Sequence, residues 1–457
     1  MKDLDLIFKA YDVRGVVPDE LDADIARATG AAFVRVLADE GPVTTVVTAH
    51  DMRTSSTALA AAFAEGVTGQ GVDVVEAGLA PTDLIYFAAG SLDLPGAVFT
   101  ASHNPGKYGG IKLCRAGAAP VGMETGLRAI RDLVQAGVPA AEAPRGSVSR
   151  RDLMSEYAAY LHQLVPLTGG RRLTVTVDAG SGMGGLSAPT VLGTEEHLRI
   201  DPLYFELDGT FPHHEANPID PKNLVDLQAR VRATGADIGL AFDGDADRCF
   251  IVDERGELVA PATILGLIAV RELAREPGST VIHNLITSRS VPEIVREHGG
   301  TPVRTRVGHS FIKAEMARTG AIVGGEHSGH FYFRDFWRAD SGMLAALHVL
   351  AALGEAPTPL SELLAPFHRY AQSGEINSTV DDAPGRIKAV EAAFGGRDGA
   401  TVDHLDGLTV DAFDTAGWWA NVRPSNTEPL LRLNAEAREP AQLEALRDEL
   451  LAVIRGG

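Results

Sequence analysis

Strand-like apolar runs alternate with alanine-rich stretches of helical character along most of the chain. That alternation restricts the fold to the α/β class. The strand candidates include Thr44–Thr48, Ala97–Thr100, Leu173–Val177, Ile238–Phe242 and Thr280–Ile282, and helical segments such as Ser56–Gly66 and Ile264–Leu273 fall between them. The last segment opens at Pro440, a favourable first helical position, and Leu443, Leu446, Leu450 and Val453 make one apolar face that should pack inward. Three places read as boundaries: the Pro/Ala/Gly-rich stretch Gln135–Arg151, the polar turn Asp253–Glu257, expected to close a hairpin, and Pro366–Glu375, which precedes a more strand-like tail. A chain of 457 residues has room for several domains, and these cuts give four, over 1–148, 149–253, 254–368 and 369–457.

Composition narrows the function classes. The formal net charge is −20, which argues against general nucleic-acid binding, because that needs a basic face. No apolar run approaches the length of a membrane span, and Met1–Asp5 lacks a basic-then-apolar signal pattern. Two cysteines, Cys114 and Cys249, cannot make a disulfide framework. The expectation from composition is a cytoplasmic protein with no nucleic acid and no membrane as partner; the charge itself identifies no partner. An anionic substrate would require Lys and Arg side chains gathered locally against the long-range field.

The segment Asp243-Gly244-Asp245-Ala246-Asp247-Arg248 follows the apolar run Ile238–Phe242, so it lies where a strand gives way to a loop. Three carboxylates at alternate positions, separated by Gly and Ala, can converge on one point rich in oxygen, the ligand set a hard cation such as Mg²⁺ requires. An EF-hand loop is the rival, but Arg248 stands where its sharp turn needs Gly, and Cys249–Val252 reads as a strand. A solvated acidic turn is the other alternative.

Thr100-Ala101-Ser102-His103-Asn104-Pro105-Gly106 follows another apolar run. Asn-Pro-Gly forces a turn, so Ser102 and His103 are expected in an exposed loop. A Ser hydroxyl can accept and donate a phosphoryl group when cations offset the charge, although a Ser before a turn is more often a cap. Lys112 could return to the same pocket.

Gly324-Gly325-Glu326-His327-Ser328-Gly329-His330 makes a polar loop whose backbone can approach a ligand closely, with Glu326 as an acceptor for sugar hydroxyls. Zinc is disfavoured, since His327 and His330 have no Cys or third His in ligand spacing. Arg423-Pro424-Ser425-Asn426-Thr427-Glu428-Pro429 is a donor-rich turn suited to a phosphate dianion, or otherwise a plain polar turn. Tyr11 and Arg14 stand near the start of the chain, and Gly308-His309-Ser310 offers a proton carrier. Gly180-Ser181-Gly182-Met183-Gly184-Gly185 matches G-x-G-x-x-G, but no convincing βαβ unit ending in a ribose-binding acid is read after it, so a dinucleotide site is not expected. Asn377-Ser378-Thr379 is a sequon without any sign of secretion.

The four motifs in this order resemble the α-D-phosphohexomutase superfamily, over nearly the whole chain. The resemblance implies four domains around a central cleft: three α/β domains of similar mixed three-layer topology, and a smaller α+β domain of TATA-box-binding-protein-like form. It implies a phosphoserine at Ser102, and Mg²⁺ held by Asp243, Asp245, Asp247 and a phosphoserine oxygen. Glu326 and Ser328 would contact sugar hydroxyls, and Arg423, Ser425, Asn426 and Thr427 the phosphate that does not react. Arg14, Lys112, Arg248 and His309 match positions near the transferring group. Tyr11, Gly308 and His330 complete the expected substrate-binding set, and His103 the catalytic one. Hexose 1,6-bisphosphate would be both intermediate and activator, with His309 or Lys112 carrying the proton, and small-molecule hexose phosphates would be the partners of a monomer or weak homodimer.

Gly-Glu-His-Ser-Gly-His and Thr-Ala-Ser-His-Asn-Pro look like the phosphomannomutase/phosphoglucomutase branch; the phosphoglucosamine branch usually has Gln at the position of His327 and Ser at that of Thr100. Some dual-specificity members carry a Lys at about the position of Leu285, and its absence turns the acid/base assignment towards His309. The expected activity is a phosphomannomutase; the alternatives are a phosphoglucomutase or dual enzyme, then a phosphoglucosamine mutase. A metal-dependent sugar phosphatase or a non-enzymatic sensor is disfavoured, the first by the second phosphate loop at Arg423 and the second because Ser102 and all three acids are present.

Overall fold

The computed structural model describes residues 2–425 and 430–456. It forms two compact units, one of residues 1–261 with 328–363, the other of residues 262–327 with 364–457.

In the first unit a mixed sheet of six strands runs in the order Val13–Val16, Tyr108–Cys114, Gly96–Phe99, Thr45–His50, Asp73–Leu79, Val148–Arg150. Thr45–His50 is parallel to both its neighbours, whereas Tyr108–Cys114 returns antiparallel to Gly96–Phe99. The Pro/Ala/Gly-rich stretch ends as the edge strand Val148–Arg150, parallel to Asp73–Leu79. Helix Ser56–Gly69 lies against helix Ala23–Ala38 at a distance that only glycine allows, since a Cβ on Gly66 would come within 1.9 Å of the Arg27 carbonyl oxygen. Phe33, Phe63 and Phe99 fill the core beneath this pair.

The second sheet runs Leu258–Val259, Cys249–Asp253, Ile238–Phe242, Leu173–Asp178, Leu198–Leu203. Every residue of Ile238–Phe242 is buried, which accounts for its unbroken apolar run. The expected hairpin is present, with Ile251 opposite Val259. One expectation fails here. The glycine-rich segment does open a βαβ unit: strand Leu173–Asp178, helix Gly184–Val191 and strand Leu198–Leu203 are joined with the two strands parallel. Its glycines serve close approach of the chain to itself, because a Cβ would meet the Gly244 carbonyl oxygen at 2.7 Å from Gly182 and the Phe205 carbonyl oxygen at 2.2 Å from Gly185. The same unit contains the strand pair Phe331–Phe333 and Ala339–Asp340, followed by helix Gly342–Glu355, which is buried through Leu353 and capped by Ser341 accepting from the Leu344 amide.

In the second unit, strand Thr280–Asn284 is flanked by two parallel neighbours, Thr301–Thr305 and Val323–Gly325. The C-terminal sheet is antiparallel, in the order Ala371–Thr379, Leu430–Ala437, Trp418–Pro424, Leu408–Asp411, Thr401–Asp403. Helices Ala383–Phe394 and Pro440–Arg455 pack on it around Phe394, Leu433 and Leu446. The buried stripe of the last helix is Leu443, Leu446, Leu450 and Ile454; Val453, expected on that stripe, is only partly buried. Among the described residues no single helix is long and apolar enough to cross a membrane.

Candidate active site

The first unit brings Ser102 to the acidic loop. Ser102 stands at the end of strand Gly96–Phe99 and the acids at the end of strand Ile238–Phe242. Its Oγ donates to Asp243 Oδ2 at 2.9 Å and lies 3.2 Å from His103 Nδ1. Ser102 is not exposed as expected, although Pro105 and Lys107 in the same loop are. Ser102 is only 6% exposed, because its backbone is drawn inward and packs on the acidic loop: a Cβ on Gly244 would come within 2.4 Å of the Ser102 carbonyl oxygen. Ser102 adopts φ 50°, a left-handed conformation that a non-glycine residue keeps only where its surroundings impose it.

Asp243, Asp245 and Asp247 are all buried, and one oxygen from each lies within 4.8 Å of the others, close enough to share one metal ion. The donor set fits a hard cation. Oδ1 of Asp245 and Oδ1 of Asp247 are buried without a hydrogen-bond partner among the described residues, which is costly unless something positive meets them. Part of the compensation comes from Lys112, whose Nζ donates to Asp245 Oδ2 and Asp247 Oδ2, each at 2.6 Å. Burial disfavours the Lys112 ammonium, but Asp245 and Asp247 outweigh it and hold the pKa well above the usual lysine value. Burial likewise works against the Asp245 carboxylate, and Lys112 overrides it, keeping Asp245 below the ordinary carboxylate range. Asp243 is raised, by burial first and by the neighbouring Asp247 and Asp245, although Arg248 opposes the shift by donating from Nε at 2.9 Å. His103 is held well below the usual histidine value by burial, then by Arg248 and Arg14, so it is neutral near pH 7. Arg14 reaches the same loop, donating to Asn104 Oδ1 at 2.7 Å. Ser328 Oγ lies 2.8 Å from His330 Nδ1, and His330 Nε2 lies 3.7 Å from Asp247 Oδ1. Tyr11 is half-buried just ahead of strand Val13–Val16.

The second unit gathers the other expected residues in two groups. Glu326, buried, accepts at Oε1 from the Gly308 amide at 3.0 Å and from Asn284 Nδ2 at 3.4 Å. Gly308, at φ 132°, precedes helix His309–Thr319, so His309 opens that helix. Leu285 follows strand Thr280–Asn284 and is buried. At the antiparallel sheet, Arg423 Nη2 donates to Glu375 Oε2 at 2.6 Å, and Arg432 Nη1 lies 3.2 Å from the other Glu375 oxygen. Arg432 Nη2 also donates to Ser425 Oγ at 3.4 Å. The Nε atoms of both arginines are buried without a hydrogen-bond partner among the described residues, as befits a cradle for an anion. Asn426 and Thr427 lie outside the described residues.

Family models for the phosphoglucomutase/phosphomannomutase α/β/α domains I, II and III match residues 5–139, 155–256 and 261–370, and that for the C-terminal domain matches 375–453. The chain belongs to the phosphoglucomutase/phosphomannomutase family. It is 40% identical over 452 residues to a protein named phosphohexose mutases from Xanthomonas campestris, covering 98% of this chain and 99% of the relative. It is 40% identical over 459 residues to a phosphomannomutase of Salmonella typhimurium, with 98% of each chain covered. The crystal structure of a phosphoglucomutase/phosphomannomutase family protein from Burkholderia thailandensis superposes with a TM-score of 0.89 at 35% identity, covering 100% of this chain and 99% of that one. The three α/β domains and the smaller C-terminal domain anticipated from the motifs are those of this family, and the chain is an enzyme of the phosphohexomutase class, an isomerase that transfers phosphate within its substrate.

Several residues that shape the site escape sequence reasoning. Thr82 Oγ1 donates to Asp245 Oδ2 at 2.6 Å across 163 positions of chain. Glu375, Arg432 and Asn284 hold the second unit's groups in the same way, and none belongs to a recognisable local pattern. Arg53 is the largest omission; its only local sign is the short segment Asp51-Met52-Arg53 after a strand.

Proposed function

We propose that this protein is a cytoplasmic, Mg²⁺-dependent phosphomannomutase that interconverts mannose 1-phosphate and mannose 6-phosphate through phosphoserine 102 and a hexose 1,6-bisphosphate, which also serves as activator. The observation that carries the reading is the 2.9 Å hydrogen bond from Ser102 Oγ to Asp243, at the edge of a buried triad of carboxylates. The preference for mannose draws on the relatives named phosphomannomutase.

Asp243, Asp245 and Asp247, with an oxygen on Ser102, would hold Mg²⁺, which when bound supplies positive charge to the phosphoryl oxygens. The chain's own residues do the rest. Ser102 carries the phosphoryl group. Its P–Oγ bond breaks as phosphorus bonds to the free sugar hydroxyl, whose proton passes to an imidazole. The bisphosphate then turns over and returns its other phosphoryl group to Ser102 Oγ. Arg14, Lys112 and Arg248 stabilise charge on the transferring group, the larger share of catalysis in such reactions. Lys112 holds its proton tightly between two carboxylates, so it suits this electrostatic role better than that of a base. Neutral His103 steadies Ser102. Glu326, Ser328, Gly308 and Tyr11 orient the sugar. Arg423, Ser425, Asn426 and Thr427 hold the other phosphate.

His309 is assigned as the proton carrier. A second candidate is favoured by geometry, because His330 lies 3.7 Å from Asp247, in the same unit as the nucleophile. The pH–rate profiles of His309→Gln and His330→Gln separate the two, since removing the general base abolishes the acidic limb while removing a binding residue leaves it.

The deciding experiment compares kcat/KM for mannose 1-phosphate, glucose 1-phosphate and glucosamine 1-phosphate, with Mg²⁺ and a trace of hexose 1,6-bisphosphate. Mannose 1-phosphate should be preferred, and Ser102→Ala should abolish turnover. Full activity in Ser102→Ala, or isomerisation of none of the three, would overturn the assignment.

A further inference from the structure

Arg53 is completely buried, and all five of its guanidinium N–H groups find acceptors. Nε donates to Asp51 Oδ2 at 3.1 Å. The other four go to backbone carbonyls of the nucleophile loop: Nη2 to Ser102 at 2.7 Å and Asn104 at 2.6 Å, Nη1 to Pro105 at 2.9 Å and Tyr108 at 3.1 Å. The guanidinium is itself fixed. Asp51 also accepts from the Arg53 amide at 2.9 Å and from Ser56 Oγ at 2.6 Å, and the Phe211 ring lies 5.0 Å from Arg53 Cζ.

Four carbonyls converging on one cation impose a curl on residues 102–108. Left alone, those carbonyls would repel one another and turn to solvent. Ser102, at one end of the curl, takes up φ 50°. With its carbonyl turned towards Arg53, its hydroxyl is aimed the other way, at Asp243. A residue in that region persists only when its surroundings over-determine it.

We propose that Arg53 is a positioning residue for phosphoryl transfer: it touches no substrate, and it holds the backbone of the Ser102 loop in the conformation that presents the hydroxyl to the acidic triad. The proposal rests on Ser102 being the phosphoryl carrier. Lysine cannot replace it, because an ammonium offers three donors from a single point and cannot span four carbonyls spread over residues 102–108.

The test is single-turnover phosphorylation of Ser102 by a hexose 1,6-bisphosphate with Mg²⁺, followed by intact-protein mass, on the full chain and on Arg53→Lys and Arg53→Ala. For Arg53→Lys the rate should fall about 100-fold or more, with KM for the sugar phosphate within about threefold and a cooperative melt retained. Millimolar guanidinium should restore Arg53→Ala at least about tenfold, one decade of rate being the smallest clear gain, while methylammonium should not. A rate for Arg53→Lys within about threefold of the parent would overturn the proposal, as would a loss that merely tracks the folded fraction. Failure of both variants to fold would also overturn it, since Arg53 would then serve the whole domain rather than the loop. Ser102→Ala, measured alongside, tests the carrier assignment separately, because its outcome does not depend on Arg53.

Discussion

Lys112 donates to two buried carboxylates at once, and that bond pattern helps make the acidic loop tolerable without an ion. Replacing it with Met removes the cation that bonds both Asp245 and Asp247, leaving Asp245 the Thr82 hydroxyl. Removing one partner of a buried ion pair costs about 3–5 kcal/mol, so Lys112→Met should melt well below the parent in EDTA. Mg²⁺ should restore much of the difference, because a ligand that binds only the folded state stabilises it by mass action. Thermal melts of both proteins with and without Mg²⁺ check this; an equal Mg²⁺ shift in both would argue against an ion at the triad. A different bond tests the proposed phosphate cradle. Glu375 grips Arg423 and Arg432 on separate oxygens. Hydrogen bonds to charged groups contribute about 1.5–3 kcal/mol, so Glu375→Ala should raise KM about tenfold or more through disordered guanidiniums. A fall confined to kcat would contradict a binding role. Ser102, the three acids, Glu326 and Arg423 could be picked out of the sequence as candidates because each sits in a short motif of unusual chemistry. Thr82, Arg53 and Glu375 were not, because their roles exist only once distant segments meet.

At the scale of elements, the strand ends do the positioning. The runs Gly96–Phe99 and Ile238–Phe242 could be read as strands from their apolar character, and the loops after them could be read as functional. What the sequence could not convey was how closely those loops pack. The expectation of an exposed Ser102 followed from turn chemistry alone, which says nothing of the second loop lying on top. Gly244 is the contact point, with no room for a Cβ against the Ser102 carbonyl oxygen. Gly244→Ala must push the loops apart by a substantial part of an ångström. A displacement of about 1 Å at reacting groups can cost about 100-fold in rate, so kcat should fall by roughly that factor. Melting temperature should change far less, since both sheets keep their strands. Unaltered kcat would mean that the loop spacing is not critical. The missed βαβ unit has a related cause: the helix Gly184–Val191 is short and glycine-rich at its start, so it gives little helical periodicity to read.

For the molecule as a whole, the alternation of apolar runs and helices was enough to recognise α/β chain and three boundary segments to cut it into four units, while the α+β character of the last unit came only from the family resemblance; none of these conveyed the contacts by which segments far apart in sequence share a core. Asp83 is such a contact within the first unit. It lies on helix Thr82–Ser91, and its Oδ2 accepts from Tyr157 Oη at 2.7 Å and from Ser341 Oγ at 2.6 Å, so it joins segments 74 and 258 positions away. Complete burial raises its pKa to about 7, and the two hydroxyls only partly offset that. The folded state therefore binds the proton more tightly than the unfolded chain, whose Asp titrates near 3.9. Stability from this group is full at pH values below the unfolded pKa and is lost as pH rises through about 7. Between pH 6 and pH 8 the loss should be about 1.4 kcal/mol. Asp83→Asn keeps the shape and an acceptor for the hydroxyls but cannot ionise, so its melting temperature should be flatter across that window than the parent's. Paired melts of the two proteins at pH 6, 7 and 8 measure the difference directly. Parallel pH curves would show that Asp83 stays in one protonation state throughout, and the joint between these segments would then be a fixed hydrogen-bonded one rather than one that weakens in alkali.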